Sequence, residues 1–167
     1  MTSPFRLEPL SDTHNRTIFR CGVEALDRYF REQATQDIRR RISNCFIVAE
    51  RPTGEVAGFY TLAAASVSIN ELPAEITKRL PRYPVLPAIQ VGRLAVDVRY
   101  QGRGVGSGLL ADATLRSARS EPAAFTLLVD AKDATAAAFY RKFGFSPFAS
   151  RPLTLFLPIA TALKLFS

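Results

Sequence analysis

The sequence predicts a mixed α/β fold, a central mixed twisted sheet flanked by helices on both sides, and three observations carry that prediction. Short apolar runs rich in β-branched and aromatic residues alternate with stretches whose apolar residues recur at helical spacing. One run, GRLAVD, leads straight into a glycine-rich stretch, VRYQGRGVGSGLL at Val98–Leu110, and from there into a helical pattern. No repeat, low-complexity tract or Gly/Ser linker divides the 167 residues, so a single domain over residues 1–167 is expected.

The elements follow in order. Val23–Arg41 carries Val23, Leu26, Tyr29, Phe30 and later Ile38 and Ile42 at the spacing of an amphipathic helix with a basic end. Cys45–Glu50 reads as a strand, Pro52-Thr53-Gly54 as a turn, and the run from Val56 as the antiparallel partner. Pro73–Leu80 reads as a short helix with its proline near the start, and Pro81–Pro87 as an exposed loop. Ala88–Val96 is a buried strand, and Gly106–Ser120 a helix packed on the sheet through Leu109, Leu110, Ala113, Leu115 and Ala118. Ala124–Asp130 is another buried strand. Ala134–Phe143 is an alanine-rich helix with Arg141 and Lys142 in its last turn, Gly144 as the residue that ends it and Phe145 folding back. Thr154–Leu157 supplies a last strand, and the tail LPIATALKLFS beyond it reads equally as a packed end or as a contact for a partner.

Composition narrows the function. Apolar residues at 47% and charged residues at 22% give an ordinary globular balance, while 22 Lys+Arg against 15 Asp+Glu leave a net charge of +7. That excess favours a polyanionic or acidic partner. The two cysteines, Cys21 and Cys45, lie far apart and read as reduced, buried thiols, without disulfide or zinc spacing. The one histidine, His14, reads as a surface or capping residue, which leaves no material for metal clusters or a histidine-based triad. The N-terminal MTSPFRLEPL lacks the pattern of a signal peptide, and Val56–Ile69 falls short of the ~20 residues of a membrane span, so a cytoplasmic protein is expected.

A glycine stretch between a strand and a helix suits an anion, because backbone N–H groups and the positive end of the helix can converge on it. The P-loop pattern fails for want of a lysine after any glycine, and GxGxxG fails because Ser107 and Leu109 stand where its last glycine is needed. What remains is Gln101-Gly102-Arg103-Gly104-Val105-Gly106, a Q-x-x-G-x-G.

That stretch resembles the acyl-CoA pyrophosphate loop of the GNAT superfamily of N-acetyltransferases. GRLAVDVRYQGRGVGSGLL, followed about thirty residues later by AAAFYRKFGF, resembles both cofactor-binding motifs in order and spacing, and with VAGFYTLA upstream the resemblance covers most of the chain. It is closest to the TacT-like toxin acetyltransferases of bacterial toxin–antitoxin pairs, which modify the α-amino group of aminoacyl-tRNA. The segments shared with that branch stand here as Ala57-Gly58-Phe59-Tyr60, Arg93–Asp97 and Ala138-Phe139-Tyr140. One departure is Ala136-Ala137-Ala138 before Phe139-Tyr140, without the asparagine many members carry there.

The resemblance implies a GNAT fold, acetyl-CoA as cofactor and a role for each motif residue. Leu94, Ala95 and Val96 would offer main-chain groups to the pantetheine arm and the thioester carbonyl. Gly102, Gly104 and Gly106 would let the backbone approach the pyrophosphate, with Gln101 and Arg103 flanking it, and Val105, Ser107 and Phe139 would complete the cofactor set. Tyr140 would donate a proton to the departing thiolate, its reference pKa near ~10 keeping it protonated at neutral pH; its bland reading is a core aromatic beside Phe139, Phe143 and Phe145. No side chain stands out as general base. An α-amino group, with a reference pKa of about 7.7–8.0 against about 10.4 for lysine, needs little help to be neutral.

Arg39, Arg40, Arg41, Arg79, Arg93 and Arg141 are the candidate phosphate contacts for a charged tRNA. The resemblance further implies a ribbon-helix-helix antitoxin whose acidic tail covers the basic cleft, and a homodimer. Two other readings stay open at this point, an acetyltransferase of a small amine or protein N-terminus, and a non-catalytic RNA- or protein-binding module on the same fold. A site for a cationic amine would be acidic, which the basic balance opposes.

Overall fold

The computed structural model describes residues 3–166. Among them, strands β1 (Phe5–Pro9), β2 (Asn44–Glu50), β3 (Val56–Ser68), β4 (Val85–Val96), β5 (Thr126–Asp130), β6 (Ser146–Pro147) and β7 (Thr154–Pro158) form one sheet in the order β1-β2-β3-β4-β5-β7-β6. β4 and β5 pair in parallel, whereas β1–β2, β2–β3, β5–β7 and β6–β7 are antiparallel, so the sheet is mixed as expected. The helices are α1 (Glu24–Arg28), α2 (Ala34–Arg39), α3 (Ala74–Thr77), α4 (Val105–Ala118), α5 (Ala134–Lys142) and α6 (Ile159–Phe166). Among the described residues no helix is long and apolar enough to cross a membrane.

Residue contacts divide the chain into two compact units, one made of residues up to Ala63 with Gly92–Ala113, the other of Ala64–Val91 with residues from Thr114 onward. In the first, the α1–α2 segment lays Tyr29, Phe30 and Ala34 on the sheet face that carries Cys45, Ile47, Phe59 and Ala95. Phe30 and Phe59, both fully buried, stack 4.3 Å apart with Phe19 edge-on to Phe30 at 4.8 Å. Each such phenylalanine contributes about 1.5–3 kcal/mol through burial. Strand alternation turns Gly58 to the opposite face, where a Cβ would stand 3.3 Å from Val105 and 3.1 Å from Leu109 of α4. Helices therefore cover both faces of this unit. In the second unit, Val67, Leu72, Leu86, Ala88, Leu128, Phe148 and Phe156 form the core.

Several expectations need correction. The helix over Val23–Arg41 is broken by a π-helical turn at Tyr29–Gln33, since the apolar spacing tolerates one inserted residue. The loop at Pro81–Pro87 is shorter, because β4 already begins at Val85, and β5 begins two residues after Ala124, at Thr126. β1, β6 and α6 were not foreseen: FRLEP mixes charge with its apolar residues, and SP is too short to carry a period. The tail is a helix with Ile159 and Ala162 buried, which is the packed-end reading in part, though Leu165 stays exposed. Cys45 is buried and its thiol pushed up to about 12 by burial, whereas Cys21 is only half-buried. His14 caps rather than lying on the surface: its side chain is 7% exposed, Nδ1 accepts the Ser11 N–H at 3.0 Å and Nε2 lies 2.7 Å from Glu8. Gly144 does end α5, with φ 97° and the Phe145 N–H donating to the Tyr140 carbonyl at 3.2 Å.

Candidate active site

The glycine loop begins where β4 ends, and the strand end is pinned. The Asp97 N–H donates to the Ala57 carbonyl at 2.8 Å and the Val98 N–H to the Arg20 carbonyl at 2.8 Å. The Asp97 carboxylate, fully buried, accepts the N–H groups of Arg20 (3.0 Å) and Arg99 (2.9 Å), and the Arg99 guanidinium through Nε (2.9 Å) and Nη2 (3.2 Å). Burial opposes its ionisation, but these donors outweigh that and hold the carboxyl below the usual range. A short 3₁₀ turn, Val98–Tyr100, carries the chain from there into Gln101–Gly104.

Gly102 (φ 79°) and Gly104 (φ 77°) take the left-handed conformations that only glycine adopts without strain, and a Cβ at Gly102 would meet nothing within 4 Å. The Gly104 carbonyl accepts the Ser107 hydroxyl at 3.0 Å and the Gly108 N–H at 3.1 Å, which starts α4. A first helical turn leaves its N–H groups without intrahelical acceptors, here those of Val105, Gly106 and Ser107. The loop is thus open, locally positive backbone at the head of a 14-residue helix.

The side chains expected to flank a pyrophosphate are otherwise engaged. The Gln101 amide donates to the Cys21 carbonyl (3.2 Å) and the Val96 carbonyl (3.1 Å), tying the loop to its base. The Arg103 guanidinium lies over Phe5 (5.4 Å) and Tyr100 (5.2 Å), 3.9 Å from Glu50. Pairing with β5 covers Ala88–Val91, and β4 continues beyond it through Leu94, Ala95 and Val96. Gly58 is required beside this stretch, because a Cβ there would stand 2.8 Å from the Ala95 carbonyl oxygen. Asp97 and Gly58 were both missed from the sequence; an acidic residue closing a buried strand before a glycine loop was the available signal for the first.

Tyr140 belongs to the second unit. Asp133 caps α5 by accepting the Ala136 N–H at 2.8 Å, and the glycine stop after Phe143 fixes the other end. The Tyr140 ring is 7% exposed and packs edge-on against Phe139 (5.3 Å) and Phe145 (5.6 Å), while Phe143 packs on Phe139. The bland reading thus describes the ring. It does not describe the hydroxyl, which no hydrogen bond among the described residues engages. Burial alone pushes its pKa up to about 12.

Of the basic candidates, Arg39, Arg40 and Arg41 are exposed at the end of α2, with Arg41 at φ 59°. Arg93 is half-buried in the same unit, and its charge and that of Arg40 both act on Asp37. Arg79 and Arg141 are exposed in the second unit. Among the described residues no group of acidic, histidine and cysteine side chains could hold a metal ion.

The chain is similar to known proteins over most of its length. A family model described as an acetyltransferase (GNAT) domain matches residues 42–147. The chain is 31% identical over 165 residues to a probable toxin TacT of Sinorhizobium fredii, covering 93% of this chain and 91% of that one. It is 38% identical over 150 residues to a tRNA-acetylating toxin of Mycobacterium tuberculosis, covering 89% and 88%. Among solved structures, AtaT complexed with acetyl-methionyl-tRNAfMet superposes with a TM-score of 0.86 at 30% identity, covering 98% of this chain and 99% of that one. A tyrosine-to-phenylalanine variant of AtaT, bound to the C-terminus of the antitoxin AtaR and to acetyl-CoA, gives 0.81 at 27%, covering 99% of each. With a family match that takes in both the glycine loop and the tyrosine helix, and relatives of this identity along most of its length, the chain belongs to the GNAT acetyltransferase domain family.

Proposed function

We propose that the whole chain works as one acyltransferase domain, a toxin N-acetyltransferase that moves the acetyl group of acetyl-CoA to the α-amino group of aminoacyl-tRNA in the cytoplasm and so blocks translation. The observation that carries the reading is the Tyr140 hydroxyl, a proton held on a buried ring and engaged by no other group among the described residues, in a chain with tRNA-acetylating relatives.

The residues present fit acetyl-CoA. The left-handed glycines 102 and 104, the open space at Gly102 and the helix N-terminus behind them suit a pyrophosphate that must be approached by backbone. When bound, the cofactor supplies the acetyl thioester. Leu94, Ala95 and Val96 present main-chain groups along the part of β4 beyond its pairing with β5, so a carbonyl oxygen gaining negative charge can be met by a backbone donor. Tyr140 keeps its proton at every physiological pH and gives it to the leaving sulfur. A neutral α-amino group needs no side-chain base at pH near its reference value of about 7.7–8.0. The +7 balance and the exposed Arg39–Arg41 favour a polyanionic acceptor over a cationic amine.

By the same reading the chain is a homodimer held in check by a ribbon-helix-helix antitoxin with an acidic segment, charged oppositely to this surface. AtaT, which shares the fold, is known bound to the C-terminus of AtaR. The test is transfer of radiolabelled acetyl from acetyl-CoA to charged tRNA, beside uncharged tRNA and the Tyr140→Phe protein. Label on charged tRNA alone, falling about 10²–10⁴-fold in the variant, supports both parts. Label on no tRNA, with acetyl-CoA still bound, transfers the proposal to a small amine or protein N-terminus.

A further inference from the structure

Arg93 is unlike the other arginines of the basic set. Its guanidinium carbon lies 3.6 Å from the centroid of the Tyr29 ring, its side chain is half-buried, and among the described residues it makes no ion pair and donates no side-chain hydrogen bond. Its main-chain N–H donates to the Thr61 hydroxyl oxygen at 3.1 Å. A guanidinium carries five donors in a rigid fork. Here the fork is held in place and left without a protein acceptor.

What holds it is built from the π-helical turn. Tyr29 and Gln33, the first and last residues of that turn, both reach Asp37: the Tyr29 hydroxyl donates to Oδ2 at 2.8 Å and the Gln33 amide to Oδ1 at 3.1 Å. The Tyr29 ring is further stacked on Phe59, 6.4 Å away. Both Asp37 oxygens are therefore occupied by neutral donors, and the carboxylate is close enough to feel Arg93 and Arg40 without forming an ion pair with either. The arrangement orients a guanidinium without neutralising it by direct contact.

We propose that Arg93, set on Tyr29, grips one backbone phosphate of the RNA substrate, while the solvated Arg39, Arg40 and Arg41 add only diffuse attraction. The planar fork matches two phosphate oxygens at once, which a mobile surface arginine does only after being ordered. The inference rests on the aminoacyl-tRNA reading and refines it, by naming the contact with fixed geometry and Tyr29 and Asp37 as its positioning residues.

The test is equilibrium binding of a tRNA charged through a stable 3′-amide, followed by fluorescence anisotropy over a range of KCl without acetyl-CoA. Each neutralised phosphate adds about 0.7–0.9 to the slope of log affinity against log salt. Arg93→Ala should bind at least about tenfold more weakly and lose roughly that increment of slope. Arg93→Lys, which keeps the charge and loses the fork, should keep the slope and still bind more weakly. Tyr29→Phe, which keeps the ring and frees Asp37, should behave like Arg93→Lys and carries the test if Arg93→Ala does not fold. An Arg93→Ala protein with parental slope and affinity overturns the proposal, as does a parent that fails to bind the tRNA. A parent that binds with the expected slopes but acetylates no tRNA refutes the functional reading and leaves the phosphate grip standing.

Discussion

Asp97→Asn keeps the shape of a side chain on which the entry to the glycine loop depends, and removes its charge and one of its two acceptor oxygens. Each carboxylate oxygen serves two donors, so whichever oxygen becomes the amide, two of the four hydrogen bonds are lost and one main-chain N–H is left facing another donor. Stranding such a group costs about 1–3 kcal/mol. Arg99 loses less, because it is 36% exposed and keeps Glu55 at 2.8 Å. The sum is about 2–3 kcal/mol, or roughly 5–10 °C in thermal midpoint for a chain of this size. The sign with pH is fixed by the lowered pKa: the native carboxylate contributes fully above its unfolded reference near ~3.9, and the contribution is lost as pH falls through the lower folded value. Thermal unfolding of both proteins by circular dichroism should show a gap that is constant near neutrality and closes in acid below about pH 4. A midpoint within about 2 °C of the parent at neutral pH, or a gap independent of acid, would refute the assignment of Asp97 as the anchor.

Three further outcomes follow from the geometry. Gly104→Ala meets only the Ser107 hydroxyl at 3.9 Å but must hold φ 77°, so about 1–2 kcal/mol of strain should lower the thermal midpoint by roughly 2–8 °C in circular dichroism, and an unchanged midpoint would refute the left-handed assignment. Because burial pushes Tyr140 up to about 12, initial acetylation rates should rise as the amine deprotonates near about pH 8 and level off with no descending limb to about pH 9; a fall in that range would assign the proton to another group. Cys45, also pushed up to about 12 by burial, should resist a thiol reagent in the native protein and react on unfolding; rapid modification of both cysteines in the native state contradicts its placement.

The parts of the site carried by backbone were the most legible in the sequence. A strand, glycines that admit positive φ and a helix leave few alternatives, and Gly102, Gly104 and Val105 stand where that pattern put them. Side-chain partners were not legible. Gln101 and Arg103 read as flanking an anion, but an amide or guanidinium is directed by the acceptors near it in space: Gln101 is shared between the local Val96 carbonyl and that of Cys21, and Arg103 faces Glu50, the last two far off in sequence. The π turn was invisible for a related reason: one inserted residue changes which side chains converge without disturbing the apolar spacing that marks a helix. Tyr140 sits within its aromatic cluster as its bland reading required, and its functional reading came only from the resemblance.

The sheet order β5-β7-β6 sets a condition on the timing of synthesis. β7 lies between two strands that are both made before it, pairing with β5 on one side and β6 on the other. A ribosome that has delivered Tyr140 and even β6 has therefore delivered a strand with its slot still empty, and β6 lacks its β7 partners until Leu155 and Phe156 have emerged. The tyrosine helix lies in the chain between β5 and β6, so both strands that bracket it wait for β7 to join them. A chain that stops short of β7 leaves β5 and β6 without the strand that joins them.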